Sequence, residues 1–208
     1  MLLEDEIHYR KGQVAKRLTT RARFRHDAEL EEWDQSFERG DSKAKLKELA
    51  SLSFVHNKEN LLLMGRTGEG KTHLAIALGR RLCAAGISVA FHSVNMLFEE
   101  IAASRAAGKY LAFLATLSKA QVLILDDFGL RAYTHAQATT LMDILEERHK
   151  HGVTVITSQV SHQGWHKLFE DPVIGEALVD RLVNPSQKII FKGGSYRERL
   201  GSQKQPSA

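Results

Sequence analysis

The eight residues Gly65-Arg66-Thr67-Gly68-Glu69-Gly70-Lys71-Thr72 fit the pattern GxxxxGK[ST]. Each residue type in it has a task if the ligand is a chain of phosphates. The glycines let the backbone curl until successive N–H groups point at phosphate oxygens. A helix that begins at the end of such a loop turns its positive end towards the same oxygens. Lys71 reaches the outer phosphates, and the Thr72 hydroxyl is a hard oxygen suited to Mg2+. Glu69 sets a carboxylate near anions, and the expectation is that it faces away from them. His73 follows at once and falls near phosphate or base. The candidate ligand-binding set is therefore Gly65, Arg66, Thr67, Gly68, Glu69, Gly70, Lys71, Thr72 and His73.

Two later stretches add acids and amides. Val122-Leu123-Ile124-Leu125-Asp126-Asp127 is an apolar run that ends in two carboxylates, the pattern of a Walker B element. Asp126 is the candidate to hold Mg2+ through water, and Asp127 the candidate to polarise an attacking water. The competing reading is an ordinary strand end with solvated acids, and the upstream loop argues against it. Thr154-Val155-Ile156-Thr157-Ser158-Gln159 is a strand ending in a polar cluster. Ligands of open parallel sheets sit at the carboxyl ends of strands. Ser158 or Gln159 is thus a candidate to touch the γ-phosphate or orient water; the alternative is a plain loop start.

The elements that hold these residues follow from hydrophobic spacing. Asn60–Met64 reads as a buried strand before the loop, and Thr72–Ala85 as the helix after it. Strands are expected at Ile87–His92, Gln121–Leu125, Val153–Thr157 and Gln187–Phe191. Helices are expected at Val94–Ala107, Tyr110–Leu117 and His135–Lys150, with two short helical pieces between Gln163 and Val183. Strands that alternate with helices imply one five-stranded parallel sheet with both faces covered. Upstream, residues 1–35 read as a polar helix with a thin stripe of Ile7, Val14 and Leu18, and Lys43–Ser51 as another helix. Between them Glu38–Ser42 reads as a turn, with a helix cap at Asp41 or Ser42. The tail GSQKQPSA reads as disordered. The expected organisation is a helical basic region over 1–50, an ATPase domain over 51–200 and a tail over 201–208.

Composition is that of an ordinary globular chain: 208 residues, 43% hydrophobic, 26% charged, formal net charge +4. The charge is uneven. Arg10, Lys11, Lys16, Arg17, Arg21, Arg23 and Arg25 occur within one stretch that holds no acid. Such a block is either a grip for nucleic-acid phosphates or a solvated helix face. Arg105 and Lys109 are weaker candidates of the same kind. The single cysteine, Cys83, allows no internal disulfide, and no leader or membrane-spanning run is visible; the expectation is a cytoplasmic protein. The pairs His149/His151 and His162/His166 lack the spacing and companions of a metal site. Trp165 and Phe169 read as packing residues, and Cys83 as a buried helix residue.

Taken together, the stretches NLLLMGRTGEGKTHLAIALG, LILDDFGL, VITSQVSHQGWHKLFEDP, ALVDRLV and IIFKGGSYRER resemble the AAA+ ATPases. More narrowly they resemble the IstB-like transposition helpers, relatives of the DnaC helicase loader, across residues 55–199. The resemblance implies an α/β P-loop NTPase without a full C-terminal helical lid. It implies ATP and Mg2+ as cofactors, slow hydrolysis stimulated by DNA, and nucleotide-dependent homo-oligomers on double-stranded DNA that assist a transposase. A replicative helicase is the alternative partner. Lys71 and Thr72 match Walker A, and Asp126 and Asp127 match Walker B, with Asp127 where many AAA+ proteins carry Glu. Gln159 matches the first sensor. Arg181, in DRL, matches the arginine that reaches a neighbouring subunit's nucleotide, and Arg197 matches the second sensor. A salt bridge to Asp180 or another acid competes for Arg181, and a plain surface cation for Arg197. The family's N-terminal domain is longer than the residues before 51. A small-molecule kinase needs a cationic lid over the transferred phosphate, and no such segment is present. A nucleotide-binding scaffold with little turnover stands as a further class.

Overall fold

Five short apolar runs become the strands of one parallel sheet: β1 (Asn60–Met64), β2 (Val89–Ser93), β3 (Val122–Phe128), β4 (Val153–Ser158) and β5 (Ser186–Ile190), in the order β2-β3-β4-β1-β5. The computed structural model describes residues 2–31, 43–149 and 151–195. Its helices are α1 (Leu2–Ala22), α2 (Lys43–Ala50), α3 (Ser53–His56), α4 (Lys71–Ala84), α5 (Val94–Ala106), α6 (Tyr110–Lys119), α7 (His135–Arg148) and α8 (Pro172–Val183), with a 3-10 segment at His162–Leu168. The chain leaves β1 towards one edge of the sheet and leaves neighbouring β4 towards the other. That reversal opens a crevice at the carboxyl ends of the two strands, where the phosphate-loop motif lies.

Alternation along the strands divides the core in two. Leu61, Leu63, Ile124 and Val155 face α4 and the N-terminal helices, together with Ala22, Ala28, Leu49 and Phe54. Leu62, Leu123, Leu125 and Ile156 face α5 to α8, with Trp165 and Phe169 in the same cluster. Cys83 is fully buried on α4. No helix follows β5 among the described residues. No helix there is long and apolar enough to cross a membrane.

Local chemistry sets the boundaries. Thr134 and Gln137 form a reciprocal capping box that starts α7. Asp171 caps α8, with Pro172 in its first turn. β3 runs on through both acids to Phe128, further than its apolar run. α7 stops at Arg148, two residues short of expectation.

The N-terminal region departs most from expectation. A single helix over 1–35 is not formed: α1 ends at Ala22, and Arg23 takes the left-handed conformation with φ 58°. The cause is in the spacing. Ala22, Phe24 and Ala28 are two and four residues apart, so one helix face cannot bury all three. The chain instead turns and runs as a strap. Ala22 and Ala28 are buried, and the Phe24 ring fills the space over Gly79, where a side-chain carbon would lie 2.7 Å from it. Of the expected stripe, Leu18 packs on the core, while Ile7 and Val14 are exposed. The turn at Glu38–Ser42, the cap at Asp41 or Ser42, and the tail lie outside the described residues.

Candidate nucleotide-binding site

β1 stops at Met64 and α4 starts at Lys71, so the motif forms the connection between them. Gly68 and Gly70 both adopt left-handed backbone, φ 85° and 93°, which other residues enter only with strain. Gly65 N–H donates to the Ser158 carbonyl at 3.1 Å, which ties the loop to β4. The buried Lys71 ammonium donates to the Arg66 carbonyl at 2.6 Å, spanning the mouth of the loop. Thr67 donates to Gln159 Oε1 at 2.7 Å, so the predicted sensor at the end of β4 touches the loop itself. Ser158, the other candidate there, is committed elsewhere: its hydroxyl is buried and donates to the Phe128 carbonyl.

Glu69, flanked by two left-handed glycines, turns inward and is 2% exposed. Its Oε1 accepts from the Gly193 N–H at 3.2 Å, while Oε2 has no hydrogen-bond partner among the described residues. A side chain at Gly68 would strike Ser195. The segment after β5 therefore packs against the loop. Arg197, two residues beyond Ser195, lies outside the described residues.

The two acids are brought together by an irregularity. β3 pairs with β4 in register as far as Leu125 and Ile156, then shifts so that Phe128 pairs with Ser158. Asp127, within the shift, has φ 62°. Consecutive strand residues ordinarily face opposite sides. Here both carboxylates meet one guanidinium, with Arg25 Nη1 3.3 Å from Asp126 Oδ2 and 3.5 Å from Asp127 Oδ2. The left-handed backbone costs about 1–2 kcal/mol, and the Asp127 N–H gains the Thr157 hydroxyl at 3.0 Å. Thr157 in turn donates to Asp126 Oδ1 at 2.6 Å, and Thr72 donates to the same oxygen at 2.8 Å. Asp126 is wholly buried and the Asp127 side chain is 30% exposed. The first suits a cation held under the phosphates, the second a water-facing base.

Mg2+ fits this donor set. The Thr72 hydroxyl and a buried carboxylate already share a hydrogen bond beside the phosphate loop, and both are hard oxygens. Bound there, the ion would neutralise phosphate charge. Burial pushes the Asp126 carboxyl up; hydrogen bonds from Thr157 and Thr72 oppose this, the Asp127 charge adds to it, and Arg25 opposes it. An acid raised in the folded state stabilises the fold at low pH and loses that contribution as pH rises through its folded value. Above that pH the ionised group is a cost. Asp126→Asn keeps an acceptor for both hydroxyls and removes the charge. Its melting temperature without nucleotide, measured above that pH, is expected to rise relative to wild type. Mg2+-dependent nucleotide binding is expected to be lost in the same variant. A fall in melting temperature, read by circular dichroism, would make Asp126 a structural residue instead.

The remaining predicted residues scatter. His73 stacks on His26 of the strap at 6.0 Å. Arg181 is at the far end of the sheet: its carbonyl accepts from Asn60 at the start of β1, and its guanidinium pairs with Glu146 at 3.0 Å, not with Asp180. Lys11, Lys16, Arg17, Arg21 and Arg23 are exposed, and Arg10 pairs with Glu6. Lys16, Arg17 and Arg21 join Gln13 and Thr20 along a groove of about 450 Å³ on α1. Arg25 does not join that face, because the turn at Arg23 sends it onto the acids. Arg105 stacks on Tyr110 at 4.3 Å and donates to Thr140, so its guanidinium is held by the protein; Lys109 is exposed. Sequence reasoning did not single out Thr157 as a site residue, and it placed Arg25 among the DNA-contacting cations, whereas the fold sets it on the two acids. Thr157 is one position before the polar pair that was singled out.

A five-stranded parallel sheet in this order, with a phosphate loop leaving β1 and two acids ending β3, defines a P-loop NTPase domain of the AAA+ type. The chain matches the IstB-like ATP binding protein family over residues 1–204 and belongs to that family. It is 36% identical to the insertion sequence ATP-binding protein y4pL of Sinorhizobium fredii, across 95% of this chain and 80% of that one. It is 34% identical to the ATP-binding protein of insertion sequence IS21 of Pseudomonas aeruginosa, across 95% of this chain and 74% of that one. Among solved structures, the DnaC helicase loader superposes with a TM-score of 0.66 at 25% identity, covering 79% of this chain and 97% of that one.

Proposed function

We propose that the chain binds ATP with Mg2+ at this site, assembles as a homo-oligomer on double-stranded DNA in the cytoplasm, and helps a transposase select its target. Lys71, Thr72 and Asp126 hold the nucleotide and metal. Asp127 and Gln159 orient the water, and slow hydrolysis is the release step. Membership of a family of insertion-sequence ATP-binding proteins supports the setting. The observation that carries the link to DNA is the basic groove of α1, whose lining holds Lys16, Arg17 and Arg21 and no acid. It leads within four residues to the strap on the catalytic acids. Three phosphate contacts give a salt slope of about −3 in log–log form. A second reading, the loading of a replicative helicase, is favoured by the likeness to the DnaC loader.

Arg181 supports a role between subunits. It adjoins the start of β1, and the phosphate loop begins at its end, about 13–17 Å away for a five-residue strand. Its own nucleotide is out of reach, so any phosphate it meets belongs to a neighbour.

The test is sedimentation of the full chain with double-stranded DNA under three conditions: no nucleotide, ADP, and a non-hydrolysable ATP analogue. A large assembly is expected only with the ATP analogue and DNA together. A monomer that binds nucleotide and ignores DNA would overturn the transposition reading. Arg181→Ala is expected to bind ATP normally and to lose DNA-stimulated hydrolysis by about 10³-fold. Its half-exposed bridge to Glu146 contributes little to stability. If the variant instead fails to fold, its role is structural.

A further inference from the structure

Arg25 is the one cation of the basic stretch that the fold takes away from the surface groove and sets against the Walker B acids. The contact is built rather than incidental. The strap that carries it is fixed on both sides: Phe24 packs over Gly79 and meets Phe91 edge-on at 6.0 Å, and Ala28 is fully buried. His26 stacks on His73, and Asp27 and Glu29 both pair with Arg80 of α4. Arg25 itself lies near the Phe91 ring, at 5.9 Å, and its side chain is 44% exposed. It has a defined seat and a free path out of it.

The seat is the one a divalent cation needs. Asp126 Oδ1 is taken by two hydroxyl donors, Thr72 and Thr157, and Oδ2 is taken by Arg25. Asp127 Oδ2 is the guanidinium's other partner. A hydrated Mg2+ and a guanidinium cannot both hold Asp126 Oδ2 at close range, since that oxygen belongs to a wholly buried carboxylate and two cations at one acceptor repel each other. We propose that Arg25 is the resident counter-ion of the Walker B pair, and that Mg2+ arriving with nucleotide displaces it. This rests on the Mg2+–nucleotide reading of the site.

The displacement has two consequences. Arg25 competes with the metal, so it raises the Mg2+ concentration needed for tight nucleotide binding. The side chain it releases is four residues along the chain from Arg21, the last cation of the α1 groove, and nucleotide loading returns its positive charge to solvent. Linkage then requires that a polyanion which holds the released arginine favours Mg2+ binding by the same factor. The strap is thereby the connection between the two halves of the proposed function.

Two measurements on the full chain test this. In the first, binding of a fluorescent ADP is titrated with Mg2+ for wild type, Arg25→Gln and Arg25→Lys. Arg25→Gln is expected to lower the half-saturating Mg2+ by about tenfold, with Arg25→Lys in between, because a lysine keeps the charge without the planar guanidinium whose Nη1 sits between the two acids. In the second, wild-type protein is treated with an arginine-selective dicarbonyl reagent and modification at Arg25 is read by mass spectrometry. Mg2+ with ADP is expected to raise labelling several-fold over protein in chelator; ADP offers no γ-phosphate to recapture the guanidinium. A Mg2+ midpoint that does not move in Arg25→Gln, or labelling that ADP and Mg2+ leave unchanged, overturns the proposal. The labelling arm keeps it testable if the variant misfolds. If wild type binds no nucleotide at all, the site reading fails along with it; if binding is Mg2+-dependent and both Arg25 arms are flat, only the latch fails.

Discussion

Lys71→Ala is expected to weaken ATP binding by about 10²-fold or more while the chain stays folded. The ammonium is buried at the start of α4 and held over the loop by the Arg66 carbonyl. That arrangement sets the ammonium where the loop's curl and the helix terminus converge, the place a phosphate chain would take. Charge-assisted hydrogen bonds are worth about 1.5–3 kcal/mol each, and a phosphate chain offers Lys71 more than one oxygen. Alanine removes them and leaves the helix-start geometry intact, since Gly70 supplies the turn. Equilibrium titration with a fluorescent ATP analogue measures the effect, with far-ultraviolet circular dichroism as the control for folding. Unchanged affinity would refute the loop assignment, and with it the catalytic roles given to Asp126, Asp127 and Gln159.

The loop, its strand and its helix were legible in the sequence because each is written locally. Asn60–Met64 was read to the residue, and α4 begins one residue earlier than expected. What failed to show was whatever depends on a departure from regular geometry. The period-two rule sends Asp126 and Asp127 to opposite faces of a strand; the shift after Leu125 and the left-handed Asp127 undo that rule, and neither is marked by a glycine. Thr157 looks like any β-branched residue in a strand, yet its hydroxyl holds both acids. The strap was invisible for a related reason. Ala22, Phe24 and Ala28 have no helical or strand spacing, and only the position of Gly79 on α4 explains where Phe24 goes. Arg25 was therefore counted with the cations of α1, although its partners lie 101 residues away. The buried Glu69 belongs to the same class: its partner, Gly193, comes after the last strand.

Arg148→Met is expected to give the largest loss of stability, about 3–5 kcal/mol from buried carbonyls that lose a donor, or roughly 6–20 °C in melting temperature for a domain of this size. Nothing in the run EERHK distinguishes this arginine from a solvated helix end. It is nevertheless 1% exposed, and it donates to the carbonyls of Leu117, Ala120 and Val153 at 2.6, 2.7 and 3.0 Å. Among the described residues no carboxylate pairs with it, and burial lowers its pKa to about 10, so at neutral pH it is a buried cation met by carbonyl dipoles alone. Those carbonyls close the end of α6 and the start of β4, on either side of β3, at the end of the sheet opposite the acids. A methionine of similar reach fills the volume and removes every donor, leaving three buried acceptors short of a partner. The variant and Lys71→Ala should therefore fail in opposite ways. Arg148→Met melts early but binds ATP as wild type does while folded; Lys71→Ala keeps its melting temperature and loses ATP. If Arg148→Met also lost nucleotide affinity well below its melting point, the acids' position would depend on the packing of β3 at its far end. The local bulge and the Thr157 hydroxyl would then be too weak an account of how the site is held.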